Sequence, residues 1–201
     1  MTISEAGKTH MAKTPDPARR LIEAGLDILA EDGIAGFVED RLCLRAGVAP
    51  SALAGHFGSK DALLAAVYET AYQPMLGILS PSAGPLGLWP LIERIFDVES
   101  LDQRTFRIWL ALWGEMAVNP TLMMAHRRNY WHYRAVVEGA IAAHCRAKGL
   151  RLDPAALAAS VIGLVDGLWL EQCIDPDGFT PARARAACLG LLEPVLGPLD
   201  A

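Results

Sequence analysis

Pairs of a helix-capping residue followed by proline recur along the chain, and they constrain its fold more than any other feature. The pairs are Asp16-Pro17, Asn119-Pro120, Asp153-Pro154 and Thr180-Pro181. The polar side chain can accept a hydrogen bond from the first turn of a helix, and proline suits the first helical position because its missing N–H would be unpaired there. Each pair therefore predicts the start of a helix.

Apolar residues between these starts recur at helical spacing, as in Leu21, Gly25, Ile28 and Leu29, which share one face before Gly33 ends the first helix. Further helices are expected over about 38–46, 50–56, 59–75, 91–98, 103–118, 119–148, 153–174 and 180–196, with a Pro-, Gly- and Ser-rich linker over 80–90. No segment keeps a two-residue apolar period. The sequence therefore predicts an all-α fold.

Composition narrows the class of protein. The chain has 201 residues, 52% of them hydrophobic, and its formal net charge of −5 gives no overall attraction to nucleic acid, so any DNA contact must come from a local patch. Cys43, Cys145, Cys173 and Cys188 are scattered without a CxxC pair, as expected of reduced thiols rather than a metal site. Without a signal-peptide pattern or a long uncharged apolar run, we expect a cytoplasmic protein with no membrane span.

The segment Ala46-Gly47-Val48 joins two short predicted helices by a tight turn. Gly47 can adopt the positive φ that such a turn needs, and Val48 can pack between the two helices. This pattern is typical of a helix-turn-helix, whose second helix enters the DNA major groove.

A longer string around this turn, made of residues 42–48, Leu53 and residues 56–64, resembles the signature of the TetR family of regulators over about residues 17–70. The resemblance implies a three-helix DNA-binding domain over 17–64 and a ligand-binding and dimerisation domain over 65–201. It also implies a palindromic double-stranded DNA operator as partner. The DNA contacts that it implies are Pro50, Ser51, Ala52 and Gly55 in the groove and His56 and Lys60 near the backbone. Arg45 is a further candidate DNA-binding residue. Residues 1–16 are expected to form a flexible arm, because the first residues are polar and have no helical period.

Two features of this region leave an alternative open. Val38, Ala49 and Ala54 are apolar where the family usually has Thr, Ser and Tyr. The cations of the region are also balanced by acids: Lys8, Lys13, Arg19, Arg20, Arg41, Arg45 and Lys60 face Glu5, Asp16, Glu23, Asp27, Glu31, Asp32, Glu39 and Asp40. Because phosphate neutralisation supplies most non-specific affinity, a dimeric effector-binding protein whose helix-turn-helix no longer reads DNA is the alternative. An enzyme is not expected, because no nucleophile–base set is visible.

The C-terminal part carries a second resemblance. Residues 106–115, followed by Asn119-Pro120, and residues 166–170 are similar to the C-terminal domain of BetI-type, choline-responsive repressors. The resemblance implies a small effector and a homodimer formed by the last two helices. No cofactor is expected.

The residues themselves allow an effector site. Trp109 and Trp113 share one helical face, Tyr130 lies on the next helix, and Trp169 on a third, with Glu115 and Asp166 as acids within apolar segments. Aromatic faces beside a carboxylate suit a small organic cation. The alternative is that the aromatic residues are core and that arginines (Arg107, Arg127 or Arg134) pair with the acids.

The last two helices carry small and apolar side chains at helical spacing, which predicts a dimer interface. The candidates are Ala156, Ala159, Gly163, Leu189, Leu192 and Val195. Packing within the chain would explain the same stripe, so both explanations stay open at this point.

Overall fold

The computed structural model describes residues 16–79, 84, 86–96 and 102–199, which are helical apart from short connections. The helices are α1 (Pro17–Asp32), α2 (Glu39–Ala46), α3 (Pro50–Phe57), α4 (Lys60–Leu79), α5 (Leu88–Phe96), α6 (Gln103–Met116), α7 (Pro120–Lys148), α8 (Pro154–Ile174) and α9 (Pro181–Leu196), with a 3-10 turn over Ile34–Gly36. No strand occurs in this part of the chain, and the all-α prediction is confirmed. Nearly all of the predicted arm, residues 1–15, lies outside the described residues.

The predicted caps form at three of the helix starts. The side chains of Asn119, Asp153 and Thr180 accept hydrogen bonds from the backbone N–H groups of Leu122 (3.1 Å), Ala155 (3.0 Å) and Arg183 (3.4 Å). Asp16 makes no such bond, although α1 begins directly after it. These caps satisfy N–H groups that the helix itself leaves unpaired.

Helix α5 begins at Leu88, inside the stretch predicted as a linker. Leu88, Leu91, Ile92 and Phe96 are buried together, so packing extends the helix beyond the start that local composition suggested. The prolines and glycines of the stretch are thus a poor guide to where its helix begins.

The first hydrophobic core joins the N-terminal helices to α6. Leu21, Leu29 and Leu63 are buried in one cluster with Ile108 and Leu112 of α6. The packing therefore crosses the predicted domain boundary after residue 64. A close approach within this core occurs at Gly25, where an added Cβ would lie 2.6 Å from Cγ2 of Val67, so glycine lets α1 contact α4 directly.

The second core lies among α5, the later part of α7, α8 and α9. It includes Phe96, Ile141, Val161 and Cys188, and all four cysteines of the chain are buried and unpaired. Among the described helices, α8 alone has the length and hydropathy (mean 1.4) to cross a bilayer, and 33% of that apolar stretch is buried inside the chain. Much of its apolar surface is consequently uncovered in a single copy.

Candidate DNA-binding surface and effector cavity

The turn between α2 and α3 has the predicted helix-turn-helix geometry. Gly47 adopts the left-handed conformation (φ 62°, ψ 41°), and the N–H of Val48 donates to the carbonyl of Cys43 over 3.0 Å. The Val48 side chain packs against the first core, and Leu53 anchors α3 to the same core. The turn and these two side chains fix the direction in which α3 projects from the domain.

The outer face of α3 carries small groups. Pro50, Ser51, Gly55 and His56 are exposed, and an added Cβ at Gly55 would meet no atom within 4 Å. Ala52, the remaining predicted groove contact, is half-buried. Such a surface allows close approach to a groove but offers few side-chain donors.

Ion pairs within the chain engage most of the nearby cations. Arg45, a predicted DNA contact, binds Glu31 through both guanidinium Nη atoms, with Nη1 2.7 Å from Oε1. This hydrogen bonding lowers the pKa of Glu31 below its usual range. Arg41 pairs with Asp32 at 2.5 Å, and Arg19 with Glu23 at 2.8 Å.

Lys60 differs from these arginines because it forms no ion pair with any residue that the structure describes. It lies in the first turn of α4, next to Ser59, whose Oγ accepts a hydrogen bond from the N–H of Ala62 over 3.1 Å. Its ammonium group is therefore available to a phosphate at the start of the helix.

A cavity of about 280 Å³ lies among α1, α4, α6, α7 and α8. Of the predicted effector contacts, it is lined by Trp109, Trp113, Tyr130, Asp166 and Trp169. Glu115 does not line it and instead accepts a hydrogen bond from Nδ2 of Asn119 over 3.4 Å. The structure thus brings five of the six predicted residues to one space and places the sixth elsewhere.

Aromatic rings from three helices contact one another around this cavity. The Trp113 and Trp169 ring centroids lie 5.6 Å apart at 80°, and Trp109 makes edge contacts with Tyr68 and Tyr72 at 5.8 and 5.9 Å. Such pairs contribute about 0.5–1.5 kcal/mol each beyond the area that they bury. The rings therefore stiffen the cavity wall, and their faces and edges provide an electron-rich lining for a cation.

Asp166 is the acid of this cavity. The residue is exposed to water, yet the surrounding protein desolvates its carboxyl group and raises its pKa to about 6. No residue that the structure describes forms an ion pair or hydrogen bond with Asp166, so no described arginine neutralises its carboxylate. A positively charged ligand would supply the missing charge.

His126 lines the same cavity and is a neutral polar group at neutral pH. Burial lowers the pKa of its imidazole below the usual 6.5, and its Nδ1 lies 3.2 Å from the Tyr68 hydroxyl. Its ring also stacks on Tyr130, with centroids 5.4 Å apart. At neutral pH the imidazole therefore carries no charge that would repel a cation.

Sequence reasoning missed the part of the cavity wall that α1 and α4 supply. Tyr68 and Tyr72 line the cavity four residues apart on α4, a spacing that could have indicated a shared face. Leu26 and Arg104 also line it, and no local pattern marks either of them. Leu26 belongs to α1, so the cavity directly touches a helix of the DNA-binding region.

The predicted dimer residues fall into two groups. Ala156, Ala159 and Gly163 are exposed along α8, and Val195 is exposed on α9. Leu189 is half-buried, whereas Leu192 is only 7% exposed and packs in the second core of its own chain. Leu191, which the sequence did not single out, is 61% exposed and lies on the outer face of α9.

A helix-turn-helix packed onto a helical domain with an internal cavity defines a class of protein, the DNA-binding regulators that sense small molecules. Residues 21–67 match the family model of bacterial regulatory proteins of the tetR family, and residues 88–197 match that of the C-terminal domain of BetI-type transcriptional repressors. The chain belongs to the TetR family of transcriptional regulators, with a BetI-type C-terminal domain.

Relatives agree over nearly the whole length. The chain is 28% identical over 193 residues to the HTH-type transcriptional regulator BetI 1 of Chromohalobacter salexigens, covering 89% of this chain and 90% of that protein. It is similar in structure to a transcriptional regulator of Pseudomonas aeruginosa (TM-score 0.78, 29% identity, 90% and 92% of the two chains). A regulator of Saccharomonospora viridis, solved in complex with choline, shares the fold at TM-score 0.71 and 17% identity, over 88% and 95% of the chains.

Proposed function

We propose that this regulator is a dimeric repressor that binds a palindromic operator and releases it when a small organic cation enters the cavity. The observation that carries the proposal is the aromatic-walled cavity with an acid that no described residue neutralises. The cavity also reaches α1 through Leu26, which places a bound ligand against the DNA-binding helices. The role proposed for the cavity is ligand binding rather than catalysis. The protein is proposed to act in the cytoplasm, where the DNA is.

The choice of a cation rests on charge and shape. A desolvated carboxylate without a partner is costly, and a cation beside it removes that cost while its surface contacts the Trp and Tyr rings. The Saccharomonospora viridis regulator of similar fold was solved in complex with choline, which supports a quaternary ammonium compound as the first probe. Glu115 is left out of this site because it lies outside the cavity wall.

Calorimetry with choline and with its neutral isostere 3,3-dimethylbutan-1-ol tests the effector class. The two molecules have nearly the same shape and differ in charge, so only choline should bind and quench the tryptophan fluorescence. Equal affinity for both would show that the cavity selects by shape alone and would refute the cationic effector.

The DNA contacts proposed for α3 and α4 are tested by selecting fragments from genomic DNA at low salt. We expect an enriched palindromic sequence, because two copies related by a two-fold axis present their α3 helices about 34–36 Å apart. Ion pairing of Arg19, Arg41 and Arg45 to acids is the specific observation that favours a helix-turn-helix with little DNA affinity. Recovery of no enriched sequence would favour that alternative.

The dimer is proposed through α8 and α9. Ala159, Gly163, Leu191 and Val195 are exposed and form an apolar surface that a single copy leaves in water. Covering such a surface is favourable in proportion to the apolar area removed from water. The proposed interface includes Leu191 and not Leu192, because Leu192 is already buried within its own chain.

A further inference from the structure

One carboxylate links the cavity wall to the helix-turn-helix. Asp27 of α1 lies between two arginines: its Oδ1 accepts from Nη2 of Arg104 (α6) over 2.7 Å, and its Oδ2 lies 3.7 Å from Nη1 of Arg45 (α2). Arg104 also lines the effector cavity. A single acid thus touches the ligand-binding wall on one side and a candidate DNA contact on the other.

We propose that Arg104 is a positioning residue that transmits occupancy of the cavity to Arg45 through competition for Asp27. While Arg104 holds Asp27 tightly, the carboxylate attracts Arg45 less, and Glu31 is the main acid that a DNA phosphate must compete with for Arg45. When Arg104 leaves, Asp27 joins Glu31 in holding Arg45 against α1. The proposal rests on the proposed function for the identity of the effector, but the competition itself exists without a ligand.

The direction of the effect follows from charge. Arg104 lines the cavity and carries a positive charge, and like charges repel each other, so a cation bound in the cavity disfavours Arg104 in its present position. Repulsion weakens the Arg104–Asp27 pair and strengthens the hold of Asp27 on Arg45, which lowers operator affinity. Effector binding and DNA release are then linked with the sign that a repressor released by its effector requires.

The strength of each pair is modest, because the four side chains are between 35% and 52% exposed. The proposal does not depend on a strong pair. It depends on two arginines sharing one acid, so that a change at one alters the partner available to the other. Such coupling is measured by a double-mutant cycle rather than by single substitutions.

The first arm of the experiment uses no effector. Operator affinity is measured for the full-length protein and for Arg104→Gln, Asp27→Asn and the double variant, on a fragment that the unchanged protein selects. We expect Arg104→Gln to weaken operator binding at least about threefold, because the released Asp27 carboxylate then holds Arg45. In the double variant, Asp27→Asn should remove that loss, because the carboxylate that would hold Arg45 is absent. Arg104→Lys should restore most of the affinity by keeping the charge.

Arg19→Gln is the matched control. Arg19 also pairs with an acid of the same region, Glu23, at 2.8 Å, but both residues lie on α1 and do not line the cavity. We expect its operator affinity to stay within about twofold of the unchanged protein. An Arg104→Gln protein that binds like the unchanged one, or a loss that persists fully in the Asp27→Asn background, would overturn the proposal.

The second arm adds choline at a saturating concentration, established for each variant by tryptophan fluorescence. The ratio of operator Kd with and without choline should fall toward 1 in Arg104→Gln, and an unchanged ratio would overturn the proposal. If choline does not alter operator binding by the unchanged protein, the cationic-effector assignment fails, and the effector-free cycle alone decides whether Arg104 positions Arg45.

Discussion

The Trp113 and Trp169 rings meet edge to face across the cavity, with centroids 5.6 Å apart and planes inclined at 80°. Trp113 belongs to α6, which packs on the DNA-binding helices, and Trp169 belongs to α8, on which the proposed dimer surface lies. In the proposed dimer, a ligand that separates or tightens these two rings would act between the helix that contacts the DNA-binding region and the helix that carries the dimer surface.

Replacing Asp166 should remove the charge on which cation binding depends. We expect Asp166→Asn to weaken choline binding at least about tenfold, because the amide keeps the shape of the side chain but cannot compensate a cation. Glu171→Gln is the matched control, since Glu171 is an exposed acid on the same helix outside the cavity wall. Calorimetry measures both, and equal affinities for the two variants would contradict the assigned role of Asp166.

Choline affinity should depend on pH in a defined direction. The pKa of Asp166 in the folded protein is about 6, above its ordinary value of 3.8, so the acid is partly protonated in mildly acidic solution. A cation favours the ionised form, and its affinity should rise with pH through about 6 and level off above it, with a slope near tenfold per pH unit below. His126 charges only at low pH and acts in the same direction.

The raised pKa of Asp166 also affects the stability of the protein when no ligand is bound. Because the folded state raises the pKa of Asp166, ionisation is harder in the folded chain, and this group opposes folding increasingly as pH rises from about 4 to 6. The free energy of unfolding of Asp166→Asn should therefore exceed that of the unchanged protein above pH 6 and approach it at pH 4. Urea denaturation of both proteins at pH 4 and above pH 6 measures the difference in their free energies of unfolding. A difference that is the same at the two pH values would show that the Asp166 carboxyl group is not desolvated.

Lys60 should contribute to DNA affinity without contributing to sequence preference. Replacing it with alanine removes one cation that no described residue pairs, and the slope of log K against log salt should become shallower by about 0.9. Lys148→Ala, at the C-terminal end of α7, serves as the control and should leave the slope unchanged. A fluorescence-anisotropy titration at several salt concentrations decides between these results, and an unaltered slope for Lys60→Ala would exclude a phosphate contact.

A charge on the outer face of α9 should break the dimer. Leu191→Glu places a carboxylate on a side chain that is 61% exposed in one copy and buried in the proposed interface. We expect the dimer to dissociate at micromolar concentration, while Met124→Glu, at an exposed apolar position of α7, stays dimeric. Light scattering gives the mass of each protein. A dimeric Leu191→Glu would place the interface elsewhere.

The DNA-binding helices and α6 should unfold as one unit. Leu112 of α6 is fully buried in the first core, and Leu112→Ala should cost about 2–5 kcal/mol. Leu110→Ala, on the same helix but 44% exposed, should cost far less. Native-state hydrogen exchange at α1 would report the coupling directly. Protection of α1 that is unchanged in Leu112→Ala would mean that the N-terminal helices fold independently of α6.

The helices were predictable because their signals are local. Asn119, Asp153 and Thr180 make their capping bonds to residues two or three positions along the chain, and Gly47 ends α2 by its own backbone conformation. The shared face of Trp109 and Trp113 follows from helical spacing alone. Such features need no knowledge of how the helices pack.

The remaining features depend on contacts between residues far apart in sequence. Arg104 and Asp27 are separated by 77 positions, and nothing near either residue indicates the pair. Glu115 and Asp166 look alike in sequence as acids within apolar segments, but the way the helices pack places Asp166 in the cavity wall and leaves Glu115 outside it. Leu191 and Leu192 are neighbours on α9, but they lie on different faces of the helix. Leu191 points outward and Leu192 is buried in the core.

The most direct test of the account is the operator affinity of the protein with and without saturating choline at pH 7.5, measured for the unchanged chain and for Asp166→Asn. The account predicts that choline weakens operator binding by the unchanged protein about 5- to 150-fold, the range of typical coupling between two sites, and that the variant binds the operator but does not respond. Operator binding that choline leaves unchanged, or a variant that responds as fully as the unchanged protein, would contradict it.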